Sequence, residues 1–193
     1  MRILIISAIA VLCSACATNQ DSSSTESQSA IQPASETLLQ PMPMPGGPWT
    51  SYSREQGGVS QHMWTANEGA DVVRSSTYQG ASNSSVELAK STDDQAGAQK
   101  CETFGSSNAS PSEENGYPTI TWISSCQLND GSERHLLNKV ISGKTALYHF
   151  ARSWNARPSS EQLGIWKEYF ATVQVCDPGA KAENACGLFG TGI

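Results

Sequence analysis

From Thr119 to Leu128 the chain alternates with a period of two, placing Ile120, Trp122, Ser124, Cys126 and Leu128 on one face of a strand. Asn129-Asp130-Gly131 follows, a hairpin-turn signal in which glycine tolerates positive φ. Glu133 to Ile141 runs back, Ser142-Gly143-Lys144 turns again, and Thr145 to Ser153 adds a third strand carrying Ala146, Tyr148 and Phe150. Such an antiparallel meander has an apolar face that must be covered. The cover comes next in the chain. Ser159 and Gln162 stand at capping-box spacing. The helix they open places Leu163, Trp166, Phe170 and Val173 on one stripe, with Tyr169 beside them. Burying side chains of this size contributes about 1.5–3 kcal/mol each, so this helix is expected to lie on the meander and hold it together. Asp177-Pro178-Gly179 should stop it, leaving Ala180 to Ile193 as an irregular tail. The fold class is therefore α+β: an antiparallel meander sheet packed by a C-terminal amphipathic helix.

The preceding stretch carries weaker signals. Ser60 to Ala66 and Ala70 to Tyr78, separated by Asn67-Glu68-Gly69, read as a β-hairpin. Asn83-Ser84-Ser85 can cap a helix running to about Phe104, with Val86, Leu88 and Ala89 inward and Gly97 as a weak point. Gly105 to Gly116 reads as a protruding loop. Of five tryptophans, Trp122 and Trp166 have core duties, whereas Trp49, Trp64 and Trp154 are candidates for an exposed patch that would take glycan or peptide.

The N-terminus sets the address. Met1-Arg2, the apolar run Ile3 to Leu12 and small residues up to Cys16 are the three parts of a secretory signal. As a helix the apolar run spans about 15 Å, half of a hydrocarbon core, which argues against a permanent membrane span. Cys13-Ser14-Ala15-Cys16 resembles the lipobox of bacterial lipoproteins, departing from it by Cys13 where leucine is usual. The resemblance implies cleavage before Cys16 and acylation of that residue, its sulfur carrying a diacylglycerol; several chains make a far stronger anchor than one. Ala17 in place of Asp implies, by the same family's sorting rule, the periplasmic side of the outer membrane, with surface exposure as the alternative. Residues 17–48 are rich in Ser, Thr and Gln and then in Pro, a composition too poor in apolar surface to offset chain entropy. The organisation expected is thus a lipoprotein signal peptide at 1–15, a lipidated Cys16 with a disordered tether at 16–48, and one domain at 49–193.

In an oxidising compartment the four remaining cysteines read as two disulfides, and Cys101–Cys126 with Cys176–Cys186 closes the two most local loops. A four-thiolate zinc site is disfavoured because the cysteines lack close C-x₂₋₄-C pairs. The C-terminal half also looks like a group of proteobacterial envelope proteins. The residues that carry this are Asn115-Gly116-Tyr117, Cys126, Gly143 to Tyr148, Val175-Cys176-Asp177-Pro178 and Cys186. It implies no activity. The order of a meander followed by a packed helix is similar to the end of Mog1/PsbP-type α/β sandwiches.

Twelve Lys plus Arg against eighteen Asp plus Glu give a net charge of −6 without a basic cluster, which argues against nucleic acid as a partner. No H-E-x-x-H, G-x-S-x-G or phosphate-binding glycine loop occurs. Met42 and Met44 in the proline stretch are read as spacer rather than copper ligands. His135 and His149 fall on neighbouring strands of the meander; facing the same side, with Glu133 or Asp177, they would bind a metal or act as acid and base. The reading preferred is a solvated face, with no catalytic residues, no metal and no cofactor. What remains is a non-enzymatic lipoprotein, held to the membrane by its anchor, that binds an envelope protein or a peptidoglycan-related partner. The alternatives are an immunity or hydrolase-inhibitor protein using the loop Gly105 to Gly116, and a small metal-binding or hydrolytic protein using His135 and His149.

Overall fold

A computed structural model describes residues 36–177. The signal segment, Cys16, the tail and Cys186 lie outside the described residues. Among the described residues ten strands and two α-helices occur in the order β1 (Thr37–Leu39), β2 (Thr50–Gln56), β3 (Val59–Ala66), β4 (Asp71–Gln79), α1 (Val86–Lys100), β5 (Thr103–Ser106), β6 (Ser112–Glu114), β7 (Tyr117–Gln127), β8 (Glu133–Ser142), β9 (Ala146–Trp154), α2 (Ser160–Thr172) and β10 (Gln174–Cys176). The main sheet is antiparallel throughout, in the order β2-β3-β4-β9-β8-β7-β5, with β6 also paired to β7. The expected meander is β7–β9, and the expected hairpin is β3–β4, joined by a 3₁₀ turn at Asn67–Gly69.

The two helices take opposite faces. Leu137 and Val140 are an odd number of positions apart on β8, so their side chains point to different sides. Leu137 packs with Val73, Phe150 and Trp154 beneath Trp166, Tyr169, Phe170 and Val173 of the α2 segment. Val140 packs with Ile120 and Trp122 beneath Val86 of α1. Both helices start on the serines named from sequence: Ser159 makes a full capping box with Gln162, and Ser85 accepts from the Leu88 N–H. On α1, Val86 is buried and Leu88 is 63% exposed, so only part of the expected inward set faces the sheet.

Two charged side chains are built into the α2 layer. Lys139 is 1% exposed, and its Nζ donates to the carbonyls of Phe170 (2.8 Å) and Val173 (2.7 Å) and to the Glu114 carboxylate. It caps the last turn of α2, where carbonyls otherwise lack partners. The helix accordingly ends at Thr172 rather than running on to Asp177, and β-branched Val173 and Val175 continue as extended chain. Arg152 pairs with Asp71 and sits among three tryptophans, its guanidinium carbon 4.7 Å from the ring centre of Trp154, 5.1 Å from Trp166 and 5.5 Å from Trp49.

The segment 36–48 belongs to this body and not to a tether. Glu36 is buried, β1 pairs with β10, Met44 is 2% exposed in the α2 core, and the Tyr169 hydroxyl donates to the Pro41 carbonyl at 2.8 Å. The stretch acts as a strap across the α2 side. Composition misled here because the strap borrows its apolar partners from the domain. Only its Leu38 and Met44 are needed to complete those clusters.

Cys101, just after α1, is joined to Cys126 on β7 across 25 residues, a closure that contributes about 3 kcal/mol by chain entropy. Cys176 is buried at the end of β10; its expected partner Cys186 lies outside the described residues. Gly105 to Gly116 is not one continuous loop, since its irregular part is confined to residues 107–111 and the turn at 115–116. β5 pairs with the far end of β7 and β6 with the near end, while Ser107 donates its N–H to the Ile123 carbonyl at 2.8 Å. Asn115 and Gly116, both at positive φ, form the two-residue turn that folds β6 onto β7.

Candidate functional site

The core under α2 runs as far as Val73 on β4, with Trp64 on β3 packed at its margin. Beyond it, β2 and β3 continue as a hairpin whose outer strand is exposed along its whole length. On the α2 side this leaves a recess of about 540 Å³ between the sheet and the strap. Alternation fixes its floor: Ser60, His62 and Trp64 from β3, then Ser75 and Thr77 from β4, all on one face. Gln40 and the 62%-exposed Met42 form the strap wall, so Met42 and Met44 part company, one to the rim and one to the core.

His62 and Trp64, two apart on β3, stack with ring centres 6.0 Å apart and planes inclined by 24°. Ser53 on β2 holds His62 Nδ1 at 2.8 Å and so fixes the ring's orientation. The inner end of the recess is closed by Glu36. Burial alone would raise this carboxyl, but the N–H groups of Thr145 and Lys144 (2.8 Å each) and the Thr145 hydroxyl (2.9 Å) outweigh it and hold it below the usual range. Glu36 is therefore ionised and fully engaged at neutral pH. Tyr148 donates its hydroxyl to the Glu36 carbonyl at 3.3 Å. Burial and the Glu36 charge push that phenol up to about 12, so it serves as a donor and not as a proton carrier. The surface can offer neutral hydrogen-bond groups, one aromatic pair and the exposed Glu55 at its edge.

The other sequence candidates are scattered. His135 is opposite Trp154 and His149 is opposite Val140, which puts the two imidazoles on different faces of the sheet. The shared metal or acid–base pair is thereby overturned: the register separates them by an odd number of positions. His135 Nε2 instead pairs with Glu133 at 3.1 Å, while Asp177 meets Lys144 at 3.1 Å. No group of three or more His, Cys, Asp or Glu able to hold a metal occurs among the described residues. The candidate patch of Trp49, Trp64 and Trp154 does not form either. Trp154 is 6% exposed, Trp49 meets Trp166 edge-on at 6.1 Å, and only Trp64 lines the recess. Arg152 drew the other two inward, an attraction that strand periodicity does not register.

No family model and no curated protein matches the chain. Among solved structures it is similar to a Pseudomonas aeruginosa protein of unknown function. That match has 12% identity, 76% of this chain and 86% of that one covered, and a TM-score of 0.47. It is also similar to cyanobacterial PsbP from Synechocystis, at 18% identity with 75% and 92% covered and a TM-score of 0.48. LpqN, involved in cell envelope biogenesis of Mycobacterium tuberculosis, matches at 12% identity with 76% and 87% covered and a TM-score of 0.41.

Proposed function

We propose that this chain is a lipid-anchored envelope protein whose α+β body binds another envelope component, a protein or a peptidoglycan-related molecule, and performs no chemistry on it. The observation that carries the reading is the recess over β3 and β4. It is a ligand-sized concavity on the sheet face that α2 and the strap partly cover. Apart from Glu36, engaged by the β8–β9 turn, and Glu55 at the edge, its donors and acceptors are uncharged serine, threonine and glutamine groups flanking one stacked aromatic pair, a set suited to amide or sugar hydroxyl groups with an apolar edge. The acidic neighbours Glu36 and Glu55 disfavour an anionic partner. The Cys101–Cys126 disulfide supports an oxidising compartment, as the reading of Cys16 as lipid acceptor requires. No helix among the described residues is long and apolar enough to cross a membrane, so attachment in this reading rests on the acyl chains.

Two measurements test the two halves. Labelled palmitate should enter the wild type and not Cys16→Ser; equal labelling removes the anchor. In crosslinked envelopes, the double variant His62→Ala/Trp64→Ala should keep its palmitate and its circular dichroism while losing its specific partner adduct. An undiminished adduct would contradict use of the recess.

A further inference from the structure

On the opposite face, α1 does not close fully onto the strands beneath it. Leu88, Ala89 and Ala96 of the helix and Tyr78, Val140 and Leu147 of the sheet surround a cavity of about 350 Å³ that opens to solvent. Its walls are mostly apolar. Ser84, Ser85, Thr92, Asp93 and His149 are its polar lining, and of these His149 is the buried one.

His149 is 7% exposed, with Trp122 stacked on its ring at 5.8 Å. Its Nε2 lies 3.2 Å from Asn138 Oδ1, and Asn138 Nδ2 in turn donates to Ser124 Oγ at 3.2 Å. An amide oxygen only accepts, so this chain of bonds places the imidazole proton on Nε2 and leaves Nδ1 as a lone-pair acceptor. The hydrogen bond that His149 makes among the described residues is this one at Nε2. Burial, reinforced by the charge of Arg74, pushes His149 down to about 3, so the ring is neutral at any ordinary pH.

We infer that this cavity binds a small uncharged molecule, about one substituted ring in size and mostly apolar, which donates an O–H or N–H hydrogen bond to His149 Nδ1. Nδ1 is not one of the fully buried atoms without a partner, and the cavity opens to solvent, so a ligand that displaces water from it must itself donate to keep the bond. An anion would meet a neutral imidazole and the Asp93 carboxyl. A cation would find Asp93 in the wall, but the charge of Arg74, which acts on both His149 and Asp93 from outside the lining, opposes it. The volume falls at the lower end of the range for small-molecule sites.

The test uses the full-length protein and matched probes: 4-ethylphenol, ethylbenzene, 4-ethylbenzoate and 4-ethylbenzylammonium. Trp122 emission and the methyl resonances of Leu88, Ala89 and Leu147 report binding. The phenol is expected to bind saturably and about tenfold more tightly than ethylbenzene, the weight of one buried hydrogen bond. His149→Phe should abolish that difference, and Ala96→Phe, which fills the cavity from the helix, should abolish binding of both. Should His149→Phe fail to fold, the wild-type probe series and Ala96→Phe still decide. Equal affinity for phenol and ethylbenzene, tightest binding of either charged probe, or unchanged binding to Ala96→Phe would overturn the inference.

Discussion

A Cβ added at Gly97 would stand 2.3 Å from Cε2 of Phe104, inside any tolerable contact. In the interior of an exposed helix Gly→Ala gains about 1 kcal/mol from propensity. At Gly97 the sign is expected to reverse. Gly97→Ala should cost about 1–3 kcal/mol by overpacking, read as a lower urea midpoint, and Phe104→Ala in the same chain should recover the helix-propensity gain. Gly143 is constrained in the same way: its Cβ would fall 2.2 Å from Glu36 Oε1, the oxygen that ties the strap to the β8–β9 turn. His149 adds a pH dependence. Above the ordinary histidine value near 6.5 both folded and unfolded chains carry it neutral; below that, only the unfolded chain takes the proton until about 3. Stability should therefore fall with acidity across that window, by about 2 kcal/mol from pH 7 to pH 5 for this one group. Asp93, held above the usual carboxyl range by burial, works in the opposite direction, so the comparison is with His149→Gln. Urea unfolding of that variant at the two pH values should lack the loss, and an identical loss would contradict the assignment.

At the scale of elements, α2 depends on a lysine that no helix pattern points to. Lys139→Met should destabilise the domain by about 2–4 kcal/mol, since the Phe170 and Val173 carbonyls then lose their donor inside the core. Glu114→Gln should cost less, because Glu114 is 33% exposed and can rehydrate. Thermal unfolding of the two variants checks the order, and the reverse order would refute the capping role. Elements with their own periodicity and caps were legible from sequence: β7 to β9, the β3–β4 hairpin, and the Ser85 and Ser159 helix starts. Those that exist through long-range pairing were not. β1 and β10, three residues each, pair with one another across most of the described chain, and β2 presents no buried face at all. Asn115-Gly116 was a hairpin signal in plain view, but its partner Ser112-Glu113-Glu114 carries no apolar alternation.

For the whole molecule, the strap and the helix divide one sheet face between a core and an open recess, and the opposite face holds α1 with its cavity. The recess was invisible in the sequence because its wall comes from a segment that composition assigns to linker, and its floor from small polar residues that look like solvent-facing positions. Trp64 was the residue of it that stood out beforehand as a candidate for ligand contact, while Met42 read as spacer. The central claim is that the β3–β4 face meets the partner. A photoreactive residue placed at Thr77 on the floor, and in parallel at the exposed Ile165 of α2, tests it in living cells. One discrete adduct from Thr77 and none from Ile165 is the expected result. No adduct from Thr77, or the same adduct from both positions, would contradict it.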